Sequence, residues 1–262
     1  NIYDTGLLAE YSGAAAAYSV RQLTTAYTGS ALRIREDGTN TETDIGFDSN
    51  GDLDTASIAS HCGANNGLVV TWYDQSGNGN NATQSTVGNQ PKIYDGTTGV
   101  LTRNGKPYID TRTSGTLPVS SFAGNGTAGS YFAVTDTSGG FVDPMFGTYN
   151  NGMHGEYGVY LQIVNGGSFS VNAGYPSTSR FILSYTTIDT VNGSEAAIQG
   201  ATASSFASTA TIVRLGGISV RGTSGVKYTG GFMYEIVFYD SNQSANRTGI
   251  ETNINSYFNI YS

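Results

Sequence analysis

Side chains able to do chemistry gather in two short stretches of this chain. In the first, His154, Glu156 and Tyr157 stand almost together, with Tyr160 and Asn165 shortly after them. A carboxyl such as Glu156 can act as an acid or base when it is buried near a second carboxyl. Tyr157 and Tyr160 offer flat faces to the C–H side of a sugar ring, and Asn165 offers an amide to its hydroxyls. These five residues form the candidate ligand site; a plain loop between two strands is the favoured reading of His154 to Tyr157. In the second stretch, Asp48, Asn50, Asp52 and Asp54 set oxygen side chains at alternate positions. Calcium loops do this because a hard cation takes several oxygens at short range. Here Gly51 stands at the fourth position rather than the sixth, and no glutamate closes the loop. Asp48, Asn50 and Asp52 are therefore a weak calcium candidate, and an Asx-rich turn leading into a capped helix is the favoured reading. His61, His154 and Cys62 are too sparse for a zinc centre. No Gly-x-Ser-x-Gly elbow marks a nucleophilic serine. Nothing calls for a cofactor.

The elements that must position these groups read as strands. The 262 residues include 36 glycines, 18 tyrosines and only 5 prolines, and charged residues are 12%. Such a chain stays in solution through hydroxyls and amides, as extracellular and particle-surface β proteins do. Its net charge of −8 and the absence of a basic stripe speak against nucleic acid. No long apolar run predicts insertion into a membrane. The lone Cys62 excludes an intrachain disulfide, so the core alone must hold the fold. Strands are expected at 31–35, 68–73, 131–135, 157–164, 168–173, 180–187, 211–220 and 226–239. Ala14–Leu23 is rich in helix formers and predicts a short helix. Asp54 predicts a cap on a helix ending at Cys62. Ile250, Ile254, Tyr257 and Phe258 fall on one face of a closing helix over 243–258. The expectation is one β-sandwich domain over 1–262, cut from a longer protein, since the chain opens on Asn rather than Met.

The most specific stretch runs from Trp72 through Tyr73, Asp74, Gln75, Ser76, Gly77, Asn78, Gly79 and Asn80 to Gln84. An apolar strand meets a turn whose glycines supply positive φ, and Asp74 and Ser76 can accept bonds from nearby backbone N–H groups. Trp72, Asp74, Gln75 and Gly77 are the structural core of this motif. The motif, together with Tyr18–Arg21, Tyr27–Leu32, Leu215–Gly217, Tyr228–Met233 and Asn253–Ile254, resembles the catalytic domain of α-L-arabinofuranosidase B. The resemblance implies an all-β, concanavalin-A-like β-sandwich (a jelly roll) with a few short helices, one of them C-terminal. The segment from Gly231 to the closing helix resembles concanavalin-A-like or laminin-G-like modules of bacteriophage tail, fibre and surface proteins.

The departures from the family pattern set the functional expectation. The family's nucleophile aligns with Asn165, and its acid/base with Ile218 after Gly216-Gly217. A retaining glycosidase needs two carboxyls about 5–5.5 Å apart, and an amide and an isoleucine can neither attack nor carry the proton. The family's disulfide partner for Cys62 aligns with Gly67. The expectation is a non-catalytic surface module, on a virion or outside a bacterial cell. It would serve assembly with identical or other virion subunits, or glycan binding. The alternative is a retaining α-L-arabinofuranosidase-like hydrolase using Glu156 and an aspartate.

Overall fold

The computed structural model describes residues 6–111, 130–136 and 232–260, and the backbone of strands at 146–148, 151–156, 160–165, 168–171, 180–187, 194–199 and 205–206. In chain order the first elements are α1 (Leu7–Glu10), β1 (Ala14–Ser19), β2 (Leu32–Glu36), β3 (Glu42–Ile45), α2 (Thr55–Cys62), β4 (Gly67–Trp72) and β5 (Ala82–Thr83). Then come β6 (Lys92–Asp95), β7 (Gly99–Val100), β8 (Thr102–Arg103), β9 (Lys106–Pro107), β10 (Ile109–Asp110) and β11 (Ser130–Asp136). The rest are β12 (Phe146–Thr148), β13 (Asn151–Glu156), β14 (Tyr160–Asn165), β15 (Ser168–Val171), β16 (Arg180–Thr187), β17 (Ser194–Gln199), β18 (Ser205–Phe206), β19 (Phe232–Tyr239) and α3 (Arg247–Phe258).

All strand pairs among these residues are antiparallel. Among the described residues the main sheet has 13 strands, with the path β18-β17-β16-β11-β19-β10-β6-β4-β2-β3. Strand β19 lies inside it, with β11 on one side and β1 and β10 on the other. Every residue of β19 is buried, as a continuous apolar run should be when both faces are covered. Trp72, Tyr18, Tyr234, Phe132 and Phe258 are among the largest side chains wholly removed from water. Each contributes roughly 1.5–3 kcal/mol by burial. A separate sheet runs β12-β13-β14-β15.

The helix expected over Ala14–Leu23 is a correction: Ala14–Ser19 is strand β1. Alanine favours a helix in isolation, yet here Ala16 and Ala17 are fully buried against β19, whose register is Ala16 opposite Phe238 and Ala17 opposite Val237. Backbone pairing with β19 and full burial of the side chains outweigh a propensity worth tenths of a kcal/mol. Of the expected 157–164 strand, residues 160–164 fall in β14 and 157–159 lie outside the described residues, while 180–187 matches β16; β13, before β14, is an added strand. The closing helix begins at Arg247, with Ile250, Ile254 and Phe258 buried. The strand expected at 211–220 lies outside the described residues.

Candidate functional site

The motif after β4 acts as a clamp on β1. The Asp74 carboxylate accepts the backbone N–H of Ala17 at 2.8 Å, of Ser76 at 2.9 Å and of Asn80 at 2.9 Å. The neighbouring Gln75 is 2% exposed and reaches the next stretch of chain. Its Oε1 accepts Leu23 N–H at 2.8 Å, and its Nε2 donates to the carbonyls of Arg21 and Ser19 at 3.0 and 3.3 Å. Asn78 and Asn80 donate to the carbonyls of Ala14 and Ala15. Gly77 makes the return possible with φ +88. Trp72 packs on Tyr18 with ring centroids 5.8 Å apart. Trp72, Asp74, Gln75 and Gly77 thus fasten the amino-terminal strand, a structural rather than a chemical task.

A buried charge pair holds the other side of β1. Arg21 Nε and Nη2 meet the two oxygens of Glu235 at 2.7 and 3.0 Å, and Ser19 Oγ donates to Glu235 at 2.7 Å. Glu235 is fully buried and Arg21 is 5% exposed. The Arg21 guanidinium lies 5.1 Å from the Tyr257 ring centroid and 5.8 Å from that of Phe258, so the pair also seats α3. The Tyr257 hydroxyl donates to Asp52, and Lys106 Nζ sits 3.4 Å from the same ring centroid. Burial, with the Asp52 bond second, holds the Tyr257 phenol well above its ordinary range. Sequence reading missed Glu235; the available signal was one acid inside the apolar run Phe232–Tyr239.

The Asp48 loop is an Asx-rich turn. Asp48 Oδ1 accepts the N–H groups of Asn50 and Asp52 at 2.8 and 3.0 Å. Asp52 is engaged with Tyr257 and Lys106. Asp54 caps α2 by accepting Ser57 N–H at 2.9 Å. The carboxylates face protein donors rather than one another, and among the described residues no group of three His, Cys, Asp or Glu side chains is arranged to hold a metal ion. Cys62 is buried, and that burial raises its thiol to about 11. It is a protonated core side chain at neutral pH. A Cβ built on Gly67 would lie 2.7 Å from its Sγ, so positions 62 and 67 are neighbours in space.

Of the candidate ligand residues, Tyr157 lies outside the described residues. His154, Glu156, Tyr160 and Asn165 are described through strand pairing. Register sets His154 opposite Gln162, Glu156 opposite Tyr160, and Gln162 opposite Ser170. Positions 154, 156, 160, 162 and 170 therefore share one face of the β12–β15 sheet, because successive residues alternate between faces. Positions 153, 161, 163, 169 and 171 share the other, and all carry apolar residues. Position 165, opposite Asn151, falls on that second face. The polar face thus unites His154, Glu156 and Tyr160 and separates them from Asn165. Ile218 lies outside the described residues.

The chain compares with known proteins as follows. The family described as "Alpha-L-arabinofuranosidase B, catalytic" matches residues 2–108. A GH54 α-L-arabinofuranosidase soaked with a cyclic sulfate inhibitor is similar in structure, with TM-score 0.69 and 15% identity over 92% of this chain and 62% of that one. An arabinofuranosidase complexed with arabinofuranosyl-α-1,2-xylobiose is similar at TM-score 0.65 and 17% identity, again over 92% and 62%. A glutamate-to-glutamine mutant of a GH54 α-L-arabinofuranosidase soaked with 4-nitrophenyl α-L-arabinofuranoside gives TM-score 0.64 and 16% identity over the same shares. The chain spans 62% of the length of these solved chains. No curated protein matches the sequence. These findings correct the expectation of a non-catalytic module, because the matching family is a catalytic one and the similar folds are hydrolases. The expectation rested on strand alignment alone, and a slip of one residue moves a whole strand to the opposite face. Over residues 2–108 the chain resembles the α-L-arabinofuranosidase B catalytic family, and it shares the β-sandwich-like fold of the GH54 arabinofuranosidase structures.

Proposed function

We propose that the chain is a retaining hydrolase of α-L-arabinofuranosides, with Glu156 as one of its two working carboxyls. The observation that carries this reading is the match of residues 2–108 to the catalytic family, joined to a shared fold over 92% of the chain. Support for Glu156 comes from register, which groups it with His154, Tyr160 and Gln162 on the polar face of the β12–β15 sheet. In the retaining reaction one carboxylate attacks the anomeric carbon and a carboxylic acid protonates the departing oxygen. Water then cleaves the glycosyl ester with the second group acting as base. Glu156 takes one role and an aspartate the other; His154 and Tyr160 line the sugar. The glycan is thus a substrate rather than an anchor. The hydroxyl- and amide-rich composition suits an extracellular setting where such polymers lie.

Release of 4-nitrophenol from 4-nitrophenyl α-L-arabinofuranoside tests the reading. Glu156→Gln should lower kcat/KM by about 100-fold or more, the usual worth of a positioned acid or base. Turnover unaffected by Glu156→Gln would remove that residue from the reaction. A wild-type protein inert toward the glycoside would remove the hydrolase reading.

A further inference from the structure

A polar row crosses the main sheet at right angles to its strands. Asp44 of β3 pairs with Arg33 of β2, Arg33 with Thr71 of β4, and Thr71 with Thr83 of β5. Directly paired residues project to the same face. Trp72 follows Thr71, takes the opposite face and is fully buried; Thr71 is itself 7% exposed, so the row reaches solvent at its flanks and Thr71 forms its floor. Asp44 and Thr83 are exposed there. Tyr73 emerges on that side too, half-buried, its backbone N–H bonded to Ala31 O at 2.9 Å. Its hydroxyl donates to Asp44 Oδ1 at 2.8 Å. That bond draws a ring rooted next to β4 across β2 to β3, so the ring lies along the sheet.

The surroundings of the ring are fixed. Arg33 Nε and Nη2 donate to the two oxygens of Asp44, each at 2.8 Å, which holds a planar fork beside Tyr73. The hydroxyls of Thr71 and Thr83 lie 3.2 Å apart. Arg33 is neutralised by Asp44, with Glu42 4.0 Å away, and the whole chain carries −8. An anionic polymer finds no surplus cation in this row. An uncharged ligand rich in hydroxyls meets a matched surface: a flat aromatic face for its C–H side, and carboxylate, guanidinium and hydroxyl groups for its oxygens. Strand spacing of about 4.8 Å sets successive polar groups near the repeat of one sugar in an extended chain.

We propose that the row Asp44–Arg33–Thr71–Thr83, with Tyr73 as its stacking face, is a secondary platform for the main chain of a neutral polysaccharide. The choice of polysaccharide rests on the hydrolase reading. The platform would hold the polymer away from the Glu156 face and raise the local concentration of side-chain sugars.

Affinity electrophoresis through gels containing an uncharged arabinose-substituted xylan tests it, with a polygalacturonate gel alongside. Wild type should be retarded by the xylan and not by the acidic polymer. Tyr73→Ala should weaken xylan binding about tenfold, the worth of one ring contact near 1.4 kcal/mol. Tyr73→Phe, which keeps the flat face but loses the bond to Asp44, should bind between Tyr73→Ala and wild type and guards against a folding artefact. Both variants should hydrolyse 4-nitrophenyl α-L-arabinofuranoside at the wild-type kcat/KM. Wild type not retarded by xylan, or Tyr73→Ala retarded like wild type, overturns the platform. Loss of hydrolysis in the wild type overturns the enzyme reading separately, whatever the gels show.

Discussion

Glu235 is a carboxylate at the centre of an apolar strand, and it is held there by Arg21 and Ser19. Such a pair gains little over a well-packed apolar pair, because both charges lose their water. Breaking it from one side is costly, since the remaining charge stays buried. Glu235→Ala should therefore lower unfolding stability by about 3–5 kcal/mol, read from the denaturant midpoint. The double variant Arg21→Met with Glu235→Leu should recover much of that loss. Equal destabilisation by the single and double variants would show that the cavity, not the stranded charge, sets the cost. Tyr73 shows the same logic at the surface, where Asp44 and Arg33 fix a ring that would otherwise rotate freely.

At the scale of elements, close approach decides what sequence leaves open. Strand β4 begins at Gly67, where a Cβ would come within 2.7 Å of Cys62 Sγ and 2.9 Å of Tyr94 Cβ. Helix α2 and strands β4 and β6 meet there with no room for a methyl group. Gly67→Ala should cost about 1–3 kcal/mol by overpacking. In a Cys62→Ala background the penalty should shrink, because one of the two clashes is gone. A thermal-unfolding cycle over the four proteins checks this, and an unchanged penalty would place the whole strain on Tyr94. Gly249 follows the same rule inside α3. Its missing side chain weakens the helix by propensity, yet it leaves space for the Tyr11 hydroxyl.

For the whole molecule, acid is the predicted weakness. The Glu36 carboxyl is lowered from 4.5 to about 2, first by the Thr39 hydroxyl and then by backbone N–H groups of Thr41, Gly38 and Thr39. Asp44 is lowered by Arg33, Asp54 by Ser57 and Asp95 by the N–H of Thr97. A carboxyl whose folded pKa is depressed binds its proton more readily when unfolded. Its stabilisation is complete above the unfolded pKa and fades as pH falls toward the folded one. Melting temperature should thus be flat near neutrality and drop between about pH 4.5 and 2, the Glu36 window. Glu36→Gln should melt lower at pH 7 and show a shallower fall with acid. An identical slope in the variant would shift the effect to the aspartates.

Much of the frame could be read from residues. The alternation Leu32-Arg33-Ile34-Arg35 announced β2, Asp54 announced the cap of α2, and the spacing Ile250, Ile254, Phe258 announced α3. These are local signals, set by side-chain period and by which groups satisfy free N–H donors. The Trp72–Gln84 motif likewise carried its turn chemistry and its family resemblance in its own letters. Ala14–Ser19 could not be read this way, because its partner β19 lies more than two hundred residues along the chain. Nor could the separation of Glu156 from Asn165, which depends on strand register and not on composition. Sequence by itself determined the β-rich class, the caps and the turns, since those depend on neighbours along the chain. Only the tertiary structure decided which residues share a face, because pairing between distant strands fixes that choice and a single-residue slip reverses it.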